Sequence, residues 1–318
     1  MDKSKAIIYG LGKQYEIRRK FLERIFDVVG YSDNRVVDIE CYIRPEKICD
    51  CEYEYVYVTS DRYFDDIKRE LVNKFNIDDN KILGEKDTCW YIDNSLNRNK
   101  WVISKLKDIP DNQILLDAGA GEQRYKKYCG HLRYISQDFG QYNGENNLGG
   151  LHPASWNTSD IDIVSDITSI PLGDNSVDAI LCTEVFEHIK DPLSALREFE
   201  RICKTDGILL LTAPVCSITH FAPYYFSNGF SKYWYEEHLP AFGFEIMELA
   251  PNGNYIYYLR QEMLRLPSVA HKYCQSLDCD INDVIADSVM LLEQLSKCGH
   301  NSSELLCFGY MVKAKKRR

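Results

Sequence analysis

Residues 114–125 read ILLDAGAGEQRY, and they decide the fold. An apolar run ends at Asp117, and glycines follow at Gly119 and Gly121. An apolar run of this length is a strand buried on both faces of a parallel sheet. Glycines directly after it permit a tight turn and let the backbone approach a ligand closely. The expected architecture is therefore α/β, with a binding site at the carboxyl ends of the strands.

The downstream residues repeat that pattern. Strands are expected at 113–117, 134–138, 161–166, 177–183 and 208–213, with later ones at 244–249 and 305–314. Asp191-Pro192 opens a helix, because Asp caps and Pro fits the first helical position. Leu193, Leu196, Phe199 and Ile202 form its buried stripe, and Gly207 is expected to end it. Acids recur at strand ends: Asp138 lies 21 residues after Asp117, and Asp166-Ile167 closes the third strand. Cys182, Thr183 and Glu184 close the fourth. A carboxylate at the second position suits both hydroxyls of a ribose. An acid followed by an apolar residue suits an adenine ring.

The first 85 residues read as a small α/β unit. Strands at 5–12, 27–33 and 54–60 alternate with amphipathic helices at 16–26 and 65–75, which implies a short parallel sheet. Gly10-x-Gly12 resembles a dinucleotide fingerprint, with Asp33 where a ribose-binding acid is expected, but Tyr15 occupies the third glycine position. NAD binding, binding of a sugar nucleotide, and a structural or docking role all stay open for this unit. Residues 86–110 form a polar and aromatic connector that ends in a short helix. The second domain then spans 111–318, with a helical insertion or lid at about 252–303.

Composition narrows the classes. The chain is 45% hydrophobic and 27% charged, with a net charge of −10. That balance is globular and argues against a broad nucleic-acid surface. No apolar run is long enough to span a membrane, and the start lacks a secretory signal, so a cytoplasmic location is expected. Twelve cysteines include no C-x-x-C pair, so reduced, structural thiols and no metal are expected; Cys298, His300 and Cys307 are the weak exception.

The stretch 162–214 resembles the type 11 (ubiquinone/menaquinone-type) family of S-adenosylmethionine (SAM) methyltransferases. The resemblance is carried by Asp166, Pro171, Asp174-x-Ser176-x-Asp178, Glu184-Val185-Phe186-Glu187-His188 and Asp206-Gly207. It covers roughly 110–250. Two departures are Asp206 for the usual first glycine and Glu122-Gln123 where many members carry a third glycine. It implies a class I, Rossmann-like sheet, mostly parallel with an antiparallel last strand, and SAM as cofactor. It also implies roles for residues: Asp117 toward the SAM ammonium, Gly119 and Gly121 around its amino-acid part, with backbone amides at the start of a helix after the strand at 113–117 attracting its carboxylate, Asp138 at the ribose, Asp166 and Ile167 at the adenine, and Cys182 beside the sulfonium. The segment 217–246 and the N-terminal unit resemble modules of surface-glycan and nucleotide-sugar enzymes.

A hydroxyl acceptor gains from a base that titrates near neutrality. His220, after the fifth strand, is the first candidate, followed by His188 and the neighbouring Glu184. Tyr224, Tyr225, Phe226, Tyr233, Trp234 and Tyr235, with His238, are read either as a substrate wall or as core. The expected activity is methyl transfer to a small-molecule acceptor, such as a sugar or nucleotide-linked glycan precursor. N- or C-methylation of another metabolite and a non-catalytic SAM-binding scaffold are the alternatives. Homo-oligomerisation is left open.

Overall fold

The computed structural model describes residues 3–60, 63–84, 87, 93–142, 158–274, 281–296 and 301–317. The chain forms two compact units, one from Met1–Tyr91 with Leu259–His300, the other from Ile92–Tyr258 with Asn301–Arg318.

In the first unit, β1 (Ser4–Tyr9), α1 (Lys13–Ile25), β2 (Phe26–Ser32), β3 (Tyr55–Val58), α2 (Phe64–Phe75) and β4 (Ile82–Leu83) build a parallel sheet of order β2-β1-β3-β4. Ile7, Val56 and Val58 face Phe64 and Leu71 in one core, while Ala6, Ile8 and Tyr57 face Leu22 in the other. The two-residue alternation of each strand feeds both faces. The carboxylate of Asp33 is taken up by the chain itself: Oδ2 accepts from the Leu11 amide at 2.7 Å and Oδ1 from the Arg35 amide at 2.9 Å.

The second unit begins with α3 (Asn94–Lys107), capped by Asp93, whose side chain accepts from the Leu96 amide. Seven strands follow: β5 (Ile114–Ala118), β6 (Arg133–Asp138), β7 (Ile163–Val164), β8 (Val177–Thr183), β9 (Cys203–Pro214), β10 (Phe244–Asn252) and β11 (Gly309–Lys316). Their order is β10-β11-β9-β8-β5-β6-β7. β5 to β9 pair in parallel with one another, and β11 runs antiparallel to both β9 and β10. This is the class I sheet with its reversed strand. Helices α4 (Pro192–Ile202) and α5 (Lys232–Ala241) cover one core, in which Phe186, Phe199, Tyr235 and Phe244 are fully buried. On the other core, Val102 and Leu106 of α3 meet Leu115, Leu181 and Leu210.

Three local expectations are corrected. α4 ends at Ile202, not at Gly207, because Cys203 already pairs with Val177 at the start of β9. Asp206, at the family's glycine position, has φ +66°, the left-handed conformation a glycine would take. The expected strand at 161–166 shrinks to Ile163–Val164. Just before it, Asp162 turns its carboxylate onto the Ser136 amide and hydroxyl at 2.8 and 2.7 Å. The turn after β5 leads to a short 3-10 turn at Lys126–Tyr128, with no α-helix before β6.

The helical stretch after β10 contains α6 (Tyr255–Tyr273) and α7 (Ile281–Ser296). Residues 259–300 cluster with the first unit. There α7 lies beside α1: Arg24 pairs with Asp287, and Ile285, Val289 and Leu292 are buried. No helix among the described residues is long and apolar enough to cross a membrane. The nine described cysteines are all free thiols; Cys298 and His300 lie outside the described residues.

Candidate functional site

The carboxyl ends of β5, β6, β7 and β8 open into one cleft of about 1240 Å³ within the second unit. That exceeds the usual span of a small-ligand pocket, so a nucleoside and a second molecule fit together. Asp117, Gly119, Gly121, Asp138, Asp166, Ile167, Glu184, His188, His220 and Tyr224 all line it, as the sequence reading proposed for the site.

The ends of β5 and β6 are laced together at the floor. The Gly119 and Ala120 amides both donate to the Gln137 carbonyl at 2.8 Å. Asp138 Oδ2 accepts from the Gly121 amide at 3.0 Å, and its Oδ1 accepts from the Gly140 amide at 2.9 Å. These bonds use one lone pair on each carboxylate oxygen and leave others for ligand hydroxyls. They also commit the three amides expected to receive the SAM carboxylate. With no helix N-terminus there, that expectation is corrected. Among the cations that line the cleft, Arg124 and Lys127 follow this turn in the chain.

Gly119 has φ +75°, and a Cβ there would stand 2.5 Å from Val185 Cγ2. Its lack of a side chain is therefore a condition of the turn. Asp117 is 2% exposed and accepts a 2.6 Å hydrogen bond from the Tyr134 hydroxyl. Burial pushes its carboxyl up to about 7, and the charge of Asp138 adds to that while Tyr134 opposes it. Asp166 Oδ1 accepts from the amide and hydroxyl of Thr168, which fixes the turn that presents the buried Ile167 to the cleft.

At the other end, Glu184 has φ +54° and is clamped from two sides. Arg98 Nη1 donates to its Oε2 at 2.9 Å, and Thr212 Oγ1 donates to its Oε1 at 2.9 Å. Glu187 is 1% exposed, and burial together with the Glu184 charge holds its carboxyl well above the usual range. The His188 and His220 rings meet edge to face at 4.7 Å. Burial lowers His188 to about 4, so it is neutral at physiological pH. Aromatic pairs flank the imidazoles: Phe139 with Tyr224 at 4.9 Å and Tyr142 with Phe221 at 4.6 Å.

Several expected site residues lie elsewhere. Cys182 does not line the cleft. Alternation along β8 turns it with Ile180 into the core and Thr183 to the mouth, and the left-handed φ of Glu184, just past the strand, brings that side chain to the mouth as well. Trp234 packs against Phe186, Phe230 and His238, and neither Trp234 nor His238 lines the cleft. Tyr233 is 68% exposed on the outside of that helix. Tyr225 stands behind His220 with its hydroxyl donating to the Ser217 carbonyl. Arg98, Phe139, Tyr142, Glu187 and Phe221 were not singled out from sequence. The only trace of Glu187 there was its place beside His188 in the E-x-x-E-H run.

Comparison with known proteins adds the family context. Residues 116–211 match a methyltransferase domain model, and residues 2–83 match the model described as C2185-like, N-terminal. No curated protein matches the chain. Among solved structures, the cyclase SpnF aligns at 19% identity over 70% of this chain and 80% of its own, with a TM-score of 0.44. A protein described as a sarcosine dimethylglycine methyltransferase from Galdieria sulphuraria aligns at 16% over 70% and 86%, TM-score 0.42. The YcgJ protein of Bacillus subtilis aligns at 14% over 70% and 99%, TM-score 0.40. Residues 116–211 thus match a methyltransferase domain, and such a domain implies SAM as its cofactor. The residues present fit it: strand-end carboxylates, a glycine whose Cβ would clash, and an acid–apolar pair border one cleft.

Proposed function

We propose that this chain methylates a hydroxyl oxygen of a small ring-bearing acceptor, a sugar or a nucleotide-linked glycan precursor. The observation that carries the reading is that one cleft runs from the Asp117–Asp138 floor to the His188–His220 pair. When bound, SAM supplies an electrophilic methyl group whose bond to sulfur breaks as the bond to the acceptor oxygen forms, leaving the electron pair on the thioether.

The chain's own residues divide the work. Asp138 receives the ribose hydroxyls, Asp166 and Ile167 receive the adenine, and Asp117 pairs with the ammonium. Arg124 offers the positive charge that the committed amides do not. At the acceptor end, the neutral imidazole of His188 is available to take a hydroxyl proton, with His220 against it. Tyr224, edge-on to Phe139, offers an aromatic wall on which a sugar ring can stack. The walls bring acceptor and donor together, which supplies the orientation that methyl transfer needs.

The test is methyl transfer from tritiated SAM to a panel of monosaccharides and nucleotide sugars. Turnover is expected with at least one hydroxyl acceptor, and it should fall about 100-fold in His220→Ala with SAM affinity unchanged. Full activity of that variant, or transfer only to nitrogen or carbon acceptors, would overturn the reading.

A further inference from the structure

We propose that Glu187, His188 and His220 together bind a divalent transition-metal ion, through the Glu187 carboxylate and the Nε2 atoms of the two imidazoles.

The tautomers come first. His188 Nδ1 lies 2.6 Å from the Tyr224 carbonyl, and His220 Nδ1 lies 2.9 Å from the Ile218 carbonyl. A carbonyl can only accept, so each neutral ring carries its proton on Nδ1 and its lone pair on Nε2. Both Nε2 atoms turn toward the same oxygen, Glu187 Oε1, at 3.7 and 3.8 Å. Those distances are too long for hydrogen bonds. The donor atoms of all three residues lie within 4.8 Å of one another. Two donors each about 2.1 Å from a shared ion stand about 3.4 Å apart at a tetrahedral angle. The two carboxylate–imidazole separations therefore match an ion after a closure of a few tenths of an ångström.

Glu187 supplies the independent sign. Its side chain is 1% exposed, and Oε2 meets no hydrogen-bond donor among the described residues. An unpartnered buried carboxylate is costly, and a cation would offset that cost. The backbone acceptors on both Nδ1 atoms are also the usual outer support of ligating histidines, and here they are already in place. Glu184 stays outside the set because Arg98 and Thr212 occupy its oxygens.

Two imidazoles and one carboxylate favour a first-row transition ion over magnesium or calcium. Three protein ligands leave a coordination position open. His188 and His220 line the cleft, so that position faces the acceptor end. The ion's role rests on the methyl-transfer reading: with both Nε2 lone pairs on the ion, it replaces His188 in activating the acceptor, polarising its hydroxyl and lowering its pKa so that the proton leaves to water. The acceptor class then narrows to hydroxyls that ligate a metal, such as vicinal diols or hydroxycarbonyl compounds.

The experiment is titration of the chelator-stripped full chain with Co²⁺, followed by visible d–d absorption, and with Zn²⁺ by calorimetry, with neither SAM nor acceptor present. One equivalent should bind at micromolar or tighter Kd, and binding should weaken at least tenfold in His188→Ala, His220→Ala and Glu187→Gln. Circular dichroism checks the fold of each variant, and His220→Ala alone decides if Glu187→Gln unfolds. No saturable binding, or binding unchanged in His220→Ala, overturns the site, the second outcome pointing to thiols elsewhere. Because the readout is independent of methylation, metal binding without methyl transfer would sink the functional reading alone. Transfer without metal binding would sink the metal site alone.

Discussion

Arg98 Nη1 donates a 2.9 Å hydrogen bond to Glu184 Oε2, joining α3 to the end of β8 across 86 residues of chain. The Arg98 side chain is 10% exposed and that of Glu184 31%. Removing one member of such a pair leaves a poorly solvated charge, here beside the buried Glu187. Arg98→Met should cost about 2 kcal/mol in urea unfolding, allowing for the partial exposure of Glu184. Adding Glu184→Gln should recover part of that loss, so the double-mutant cycle shows coupling. Additive effects would mean that the pair does not hold this end of the cleft.

The buried Asp117 makes folding depend on pH in a defined direction. Its carboxyl is raised by burial from 3.8 to about 7 in the folded chain. Between those values the unfolded chain has released a proton that the folded chain keeps. This group's contribution is therefore fully present below about pH 4 and is lost as pH rises through about 7. Relative to Asp117→Asn, the natural chain should lose up to ~1.4 kcal/mol for each pH unit across that window. Urea unfolding of both proteins at pH 5 and pH 8 measures the difference, and parallel curves would contradict the assignment.

Gly119 and Gly173 make a matched pair of substitutions. At Gly119 the positive φ and the 2.5 Å approach of Val185 both oppose a side chain, whereas a Cβ at Gly173 meets nothing within 4 Å. Gly119→Ala should destabilise by roughly 1–3 kcal/mol and weaken SAM binding. Gly173→Ala should change either quantity little. Equal Tm values for the two variants would argue against a strained turn at the floor.

The aromatic residues after β9 should separate by position. Tyr224 lines the cleft and Tyr233 does not. Tyr224→Ala should raise the acceptor KM severalfold without changing SAM affinity, while Tyr233→Ala leaves both unchanged. A Tyr233 effect on KM would restore the wider substrate wall expected from sequence.

The buried strands and the Gly119 turn were legible because burial on both faces writes continuous apolar runs, as in Ile114–Leu116. The strand-end acids Asp117, Asp138 and Asp166 were legible because a parallel α/β chain returns to the same edge at regular spacing. Other features depended on information that no local pattern holds. Cys182 and Glu184 are two residues apart, yet the first turns into the core and the second reaches the mouth. Trp234 and Tyr224 belong to one aromatic-rich segment, but only Tyr224 falls beside the cleft, because α5 turns Trp234 inward. Glu187 is an acid between Phe186 and His188, and its burial follows only from the packing of Phe186 on Phe199, Phe230 and Trp234. The committed amides at Gly119–Gly121 follow from the short crossover between β5 and β6, whose lack of a helix the glycines did not announce.

The most direct test of the account is calorimetric titration of the full chain with SAM and S-adenosylhomocysteine, repeated on Asp138→Ala. One molecule of each should bind at micromolar Kd, and the variant should bind 10- to 100-fold more weakly, about 1.4–2.7 kcal/mol for a lost charge-assisted contact. Absence of binding to either ligand, or unchanged affinity in Asp138→Ala, would contradict the reading of this cleft as a SAM site.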